Sequence, residues 1–233
     1  HQEISDRCGL VGHWKMNEST GGTAADSTGY ANDATLSGAT WTSDCAGNYA
    51  LEFDGAGGVA TTDSNFDPPA TGTVAFWMRS AGNPGSRSRP FGFVGDWEMR
   101  QEPDGSLSFD LGDEGPPEFV SNQGLSYDGR WHHVVAEFDA ADDSYQVHID
   151  GVLTKSGING DNMVKQAENI LTFGTRTGNT QYWQGALRDF RVYNRWLLDE
   201  EIAELSGLVA HWRLNESSGT VADDAGVLQN DAT

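Results

Sequence analysis

The sequence predicts an all-β protein, a two-sheet antiparallel jelly-roll sandwich with one short C-terminal helix. Three observations carry that expectation. Apolar and polar residues alternate with period two along most of the chain, turn residues interrupt the alternation at short intervals, and a single segment near residue 200 has helical spacing. Strands joined by turns rather than helical crossovers pair antiparallel, and nine or more of them in about 200 residues match a double-sheet jelly roll.

In chain order, the first strand sets the pattern. Leu10, Trp14 and Met16 alternate with Val11, His13 and Lys15, which puts the Trp face toward the core. Further strands are expected at 50–53, 72–79, 91–94, 97–101, 106–111, 131–139, 144–149, 171–174 and 186–193. The pairs Asp54-Gly55, Asp104-Gly105, Asp128-Gly129 and Asp150-Gly151 supply turn chemistry between them. The helix is expected over 198–207, with Asp199 as its cap, acids in the first turn, Ile202 and Leu205 on one face and Gly207 as the stop.

A repeat organises the chain. Residues 9–35 return as residues 207–233 at a constant offset of 198 without a gap, and 15 of the 27 aligned positions are identical. Trp14 and Trp212, Asp26 and Asp224, and the closing Asn-Asp-Ala-Thr all recur. The expected organisation is one complete domain over 1–206, followed at 207–233 by the first strand and loop of a second tandem unit. A 27-residue piece cannot bury a core of its own. It therefore packs on the outside of the complete unit or exchanges into a neighbouring molecule, and the second arrangement builds filaments when it does not close.

Composition narrows the function. The formal charge is −21, with 35 acidic against 14 basic residues, and such a surface repels phosphate backbones and anionic lipid headgroups. Nucleic acid is excluded as a partner on that ground. Ten per cent aromatic residues and eight tryptophans exclude a disordered acidic chain. No stretch approaches the roughly 20 apolar residues that span a bilayer, so no membrane insertion is expected, and residues 1–7 have no signal-peptide character. Cys8 and Cys45 are the two cysteines, near the first and second expected strands. The expectation is a Cys8–Cys45 disulfide, which implies an oxidising compartment, with two buried free thiols as the alternative.

The run from Asp128 to Leu153 (DGRWHHVVAEFDAADDSYQVHIDGVL) is followed by GALRDFRVYNR at 185–195 and by Leu198-Asp-Glu-Glu-Ile-Ala. With the opening Gly9-Leu-Val-Gly-His-Trp14, the acidic loop at 26–32 and Leu51-Glu-Phe-Asp-Gly55, this series resembles the laminin-G-like, concanavalin A-like lectin/glucanase superfamily across nearly all of residues 9–206. The resemblance implies a curved antiparallel sandwich, used in secreted bacterial proteins as an adhesive, carbohydrate-binding or spacer module, often in tandem. Some relatives of this fold are glycoside hydrolases or polysaccharide lyases, and fold alone does not choose among these roles.

A glycosidase needs two facing carboxyl groups about 5 to 9.5 Å apart. Asp96, Glu98 and Glu102 come closest, but Arg100 occupies the place where a third acid belongs, and a solvated strand edge is the expected setting. No Gly-x-Ser-x-Gly elbow is present. His132 and His133 are adjacent on a strand, point to opposite faces and cannot act on one ion together. The chain is expected not to be an enzyme.

Structural calcium is implied by the resemblance at Asp26, Asn32, Gly55 and Asp189, with Asp33 and Asp54 close by, if the first and last strands pair. Relatives commonly carry an acid where this chain has Arg188, whose guanidinium can neutralise the acids in a metal's place; an acidic turn closed by hydrogen bonds is the alternative. No organic cofactor is expected. For sugars, the aromatic candidates are Trp97, Tyr182 and Trp183, with core packing as the competing role for both tryptophans. Arg87 and Arg89 in the 80–90 loop form a positive spot for an anionic sugar or a neighbour's acidic face, unless they are ordinary charge pairs. The expected function is a non-catalytic extracellular carbohydrate-binding or adhesion module whose partner is a glycan or a neighbouring repeat. A self-assembling structural repeat is the second reading, and a hydrolase or lyase the third.

Overall fold

The structure, a computed structural model, describes residues 8–44, 46–63, 66–82, 85–93, 97–111, 127–158, 170–176, 178 and 181–207, with the side chains of Trp97, Asp110 and Leu111 outside that description. Among the described residues, two antiparallel sheets stack face to face. The eight-stranded sheet runs in the order β13 (Val152–Ile158), β12 (Ser144–Ile149), β11 (His132–Asp139), β7 (Thr71–Ser80), β15 (Gln184–Tyr193), β5 (Tyr49–Asp54) and β4 (Thr40–Ser43), and β1 (Leu10–Trp14) also pairs with β15. The seven-stranded sheet runs β10 (Leu107–Leu111), β9 (Trp97–Gln101), β8 (Ser88–Phe93), β14 (Leu171–Phe173), β6 (Val59–Thr62), β3 (Ala34–Ser37) and β2 (Thr23–Ala24).

Alternation divides each strand between two environments. In β7, Val74, Phe76 and Met78 enter the layer between the sheets, whereas Ala75, Trp77 and Arg79 belong to the other face. The centre of the sandwich is aromatic. Phe190 lies edge-on at 4.9 Å from the rings of both Phe91 and Phe173 and at 6.1 Å from Trp14, and stacks on Phe76 at 5.3 Å; aromatic pairs of these kinds add about 1 kcal/mol each beyond area burial. Trp14 is fully buried and donates its indole N–H to the Asn32 carbonyl at 2.8 Å, tying the first strand to its following loop.

The helix α1 (Asp199–Leu205) covers part of the outer face of the eight-stranded sheet. Leu197 and Ile202 bury against Ala75, Val135 and Tyr193 there. Its N-cap is Leu198 rather than the expected Asp199: the Leu198 N–H is accepted by Glu201 at 2.8 Å, and Asp199 falls inside the first turn. The expected strands all appear, those at 97–101 and 144–149 with the same ends and the others with shifted ones, and the structure adds β2, β3, β4, β6 and β13. His132 and His133 are both held in internal pairings. His132 bridges Asp128 and Asp150, while His133 is buried against Ser206, with burial pushing its imidazole down to about 4.

The last strand, β15, switches its inward-facing set partway along. Before residue 188 the odd-numbered Leu187 faces the core, and after it the even-numbered Phe190 and Val192 do. The reversal comes from a bulge: register with β7 slips between Arg188 and Arg191, and Asp189 sits at φ +52°.

Candidate functional site

The bulge coincides with a change of partner on one edge of β15. Residues 184–187 pair with β5, Leu187 opposite Leu51, and residues 190–193 pair with β1, Phe190 opposite Trp14. β1 and β5 run in the same direction, so the end of one meets the start of the other at Asp189. The two chains diverge there and leave a cleft of about 520 Å³, a size suited to a small ligand. Its walls are His13, Lys15 and Asn17 from the exit of β1, and Gly47, Asn48 and Tyr49 from the entry of β5. Arg188, Asp189 and Arg191 form its floor.

The floor is held in one arrangement by paired charges. His13 Nε2 and Asp189 Oδ1 are 2.7 Å apart, and Arg191 grips both oxygens of Asp189, Nε at 3.0 Å and a terminal nitrogen at 3.2 Å. Burial pushes the Asp189 carboxyl upward, but the His13 hydrogen bond and the Arg191 guanidinium outweigh it and hold the group well below the usual carboxylate range. Arg188 donates to Asp44 at 3.1 Å and lies over the Trp131 ring at 4.3 Å, with Trp77 at 5.5 Å. Asp44 also accepts the Ala46 and Asn48 amide protons, both at 2.9 Å. The Asn48 side chain and backbone, with Arg188 behind them, bring Asp44 down to about 2. The rim that presents Tyr49 is thus braced, and Tyr49 itself is 43% exposed.

The sequence points to Arg188 and Asp189 but not to this cleft. Asn48-Tyr49 directly before a strand, and Lys15 as one of only three lysines, were available signals. No pattern in the chain shows that β1 and β5 abut on one edge.

The residues expected to bind sugar are not gathered. Trp183 is a correction: it is fully buried, packs on Phe53 at 5.9 Å and donates its indole proton to Gln101 at 2.6 Å, so no face is left for a ligand. Tyr182 is half-buried and its backbone bridges to Arg89. Trp97 lies in β9 with its side chain outside the described residues. Arg89 is a second correction, since it belongs to β8, is 5% exposed and pairs with Glu98 at 2.6 Å. Arg87 pairs with Glu102 at 2.9 Å. The positive spot expected there is therefore neutralised by the neighbouring strand.

Glu98 is likewise no solvated edge. It is 2% exposed between Arg89 and Arg100, the latter at 2.5 Å, with Arg176 at 3.5 Å. Burial opposes its charge, yet the Arg89 hydrogen bond and both guanidinium charges keep its carboxyl below the ordinary value. A carboxylate clamped in this way is a poor proton donor.

The expected calcium ligands do not fit an ion as a set. Calcium needs six to eight oxygens with free lone pairs. Asp26 spends its oxygens on the N–H groups of His13 and Thr28, both at 3.0 Å, on Asn32 N–H at 3.0 Å and on the Thr28 hydroxyl at 2.7 Å. Asp33 accepts the Asp26 N–H at 2.8 Å. Asp54 Oδ1 accepts the amide protons of Ala56, Gly57 and Gly58, which is why Gly55 at φ +73° stands in that turn. Asp189 is committed to His13 and Arg191. No group of three or more metal-ligating His, Cys, Asp or Glu side chains occurs among the described residues. Cys8 is exposed and carries a free thiol, whereas Cys45 and the repeated segment 208–233 lie outside the described residues. No helix among the described residues is long and apolar enough to cross a membrane.

Two antiparallel sheets packed face to face, with a rimmed cleft on an outer face, define a jelly-roll β-sandwich module. The chain belongs to the concanavalin A-like lectin/glucanases superfamily, whose sequence profile matches residues 53–203. Among solved structures, the receptor binding domain of botulinum neurotoxin C/D mosaic serotype is similar with a TM-score of 0.68 at 14% identity, over 85% of this chain and 51% of that one. Botulinum neurotoxin type C, whose cell entry is dependent upon interaction with two ganglioside molecules, is similar with a TM-score of 0.65 at 15% identity, over 88% of this chain and 52% of that one. Domain 4 of AbnA, a GH43 extracellular arabinanase from Geobacillus stearothermophilus, in complex with arabinotriose, is similar with a TM-score of 0.66 at 18% identity, over 84% of this chain and 98% of that domain. The chain spans about half the length of the neurotoxin binding domains and nearly the whole AbnA domain. These likenesses establish the shared fold. No curated protein matches the chain in sequence.

Proposed function

We propose that this chain is a non-catalytic carbohydrate-binding module of an extracellular protein and that it holds its glycan in the cleft where β1, β5 and β15 meet. The observation that carries the reading is the exposed Tyr49 ring on a braced rim, beside the amides of Asn17 and Asn48 and a charged floor already fixed by internal pairing. An aromatic face can lie on the apolar face of a sugar ring while short polar groups take its hydroxyls, and a floor that is rigid before binding lowers the ordering cost. The sugar-bound AbnA domain and the ganglioside-dependent neurotoxin, which share the fold, support the same reading. The clamped state of Glu98 supports binding without hydrolysis, and the repeat of residues 9–35 supports a tandem arrangement of such modules.

The test is a glycan array probed with the wild-type chain and with Tyr49→Ala. The reading predicts that a glycan is retained and that the variant, with an unchanged melting temperature, binds it at least about tenfold more weakly. Retention of no glycan by the wild type, or equal retention by both, overturns it.

A further inference from the structure

We infer that the glycan taken by this cleft is acidic, with a carboxylate on a sugar ring set against Lys15; the inference rests on the carbohydrate-binding reading above. The protein carries a formal charge of −21, so most of its surface repels anions. The cleft is an exception that the internal pairings make explicit. Arg188 is matched by Asp44, and Arg191 by Asp189. Lys15 is left over: it is exposed on the cleft wall and makes no ion pair among the described residues. The wall and floor together therefore carry one cation in excess, with the His13 imidazole fixed beside them at 2.7 Å from Asp189.

Asp189 is already gripped on both oxygens, so it does not compete for Lys15 as a free carboxylate. An incoming carboxylate meets a flexible ammonium that loses no partner in turning toward it, and charge-assisted hydrogen bonds are the strong ones. A neutral sugar uses the Tyr49 ring and the asparagine amides but leaves Lys15 unengaged. Discrimination then comes from the acid alone.

The experiment is an array of uronate and sialate glycans, each printed beside its own methyl ester, which keeps the ring and removes the charge. It is probed with the wild-type chain, Lys15→Met and Tyr49→Ala. The expected result is retention of an acidic glycan about fivefold more strongly than its ester, loss of that preference in Lys15→Met with ester binding unchanged, and loss of both in Tyr49→Ala. Whether uronates or sialates are retained identifies the source of the acid. Equal binding of acid and ester, or retention of esters alone, overturns the inference while leaving the carbohydrate-binding reading in place. Retention of nothing overturns both. A preference for the acid that survives in Lys15→Met also overturns it, because the charge is then read elsewhere.

Discussion

Glu137 is expected to make the stability of this sandwich fall as pH rises toward neutrality. The residue lies on β11 beneath the segment that leads into α1 and is 2% exposed. Its carboxyl accepts the Leu197 N–H at 2.7 Å and the Thr73 hydroxyl at 3.4 Å. Burial is the largest influence and pushes its pKa up to about 7; Asp199 and Glu201 of α1 push the same way, and the two hydrogen bonds only partly oppose them. The ordinary value is 4.5. Between those two values the unfolded chain has released its proton while the folded chain retains it, so folding stability drops through that window and the drop is complete above about pH 7. A displacement of this size corresponds to roughly 3 kcal/mol.

Urea unfolding of wild type and Glu137→Gln at pH 5, 6, 7 and 8 isolates the effect, because the amide oxygen still accepts from Leu197 and every other titrating group is common to both chains. The expected result is a stability difference that moves by about 2.5 kcal/mol in favour of the variant from pH 5 to pH 8, part of the displacement lying below pH 5. His148 of β12 stands 3.9 Å from Glu137, and an imidazolium there would hold the carboxylate ionised. A difference that stays flat with pH would refute the neutral buried acid and point to that charged pair instead. Asp26, Glu98 and Asp189 act with the opposite sign at lower pH, since their carboxyls are depressed and the stabilisation they give is lost on acidification.

Other perturbations test the packing and the acidic loop. Gly185→Ala drives a methyl to 2.5 Å from both the Arg79 carbonyl oxygen and the Trp183 ring; a loss of about 2 kcal/mol in urea unfolding is expected, and a loss near zero would mean that Trp183 is not locked in the core. Asp26→Ala leaves the amide protons of His13, Thr28 and Asn32 without their acceptor, which is expected to cost about 3 kcal/mol. Treatment of the wild type with EDTA is expected to leave the melting temperature unchanged, and a fall of several degrees would show that an ion is held after all.

Much of the fold was legible because its determinants are local. The alternation in Trp97–Gln101 and Ser144–Ile149 gave both ends of β9 and β12, and the spacing of Ile202 and Leu205 gave the helix. The strands that escaped notice have a common cause. β3, β4 and β6 read Ala-Thr-Leu-Ser, Thr-Trp-Thr-Ser and Val-Ala-Thr-Thr, small and hydroxylated residues that carry little apolar contrast, and β13 is an edge strand without alternating burial. The cleft was hidden for a different reason. His13, Asn48 and Asp189 are far apart in the chain, and what joins them is a bulge that exchanges one edge partner of β15 for another. Trp183 and Arg89 misled in the opposite sense, because a chain position beside polar residues gives no sign of the strands that cover it.

A glycan held at the junction of β1, β5 and β15 must perturb the backbone there. Backbone amide shifts recorded by NMR while a glycan retained on the array is titrated in test that placement most directly. The largest changes are expected at Lys15, Asn17, Asn48, Tyr49 and Asp189. Changes centred instead on the seven-stranded sheet around Glu98 and Arg100 would contradict it.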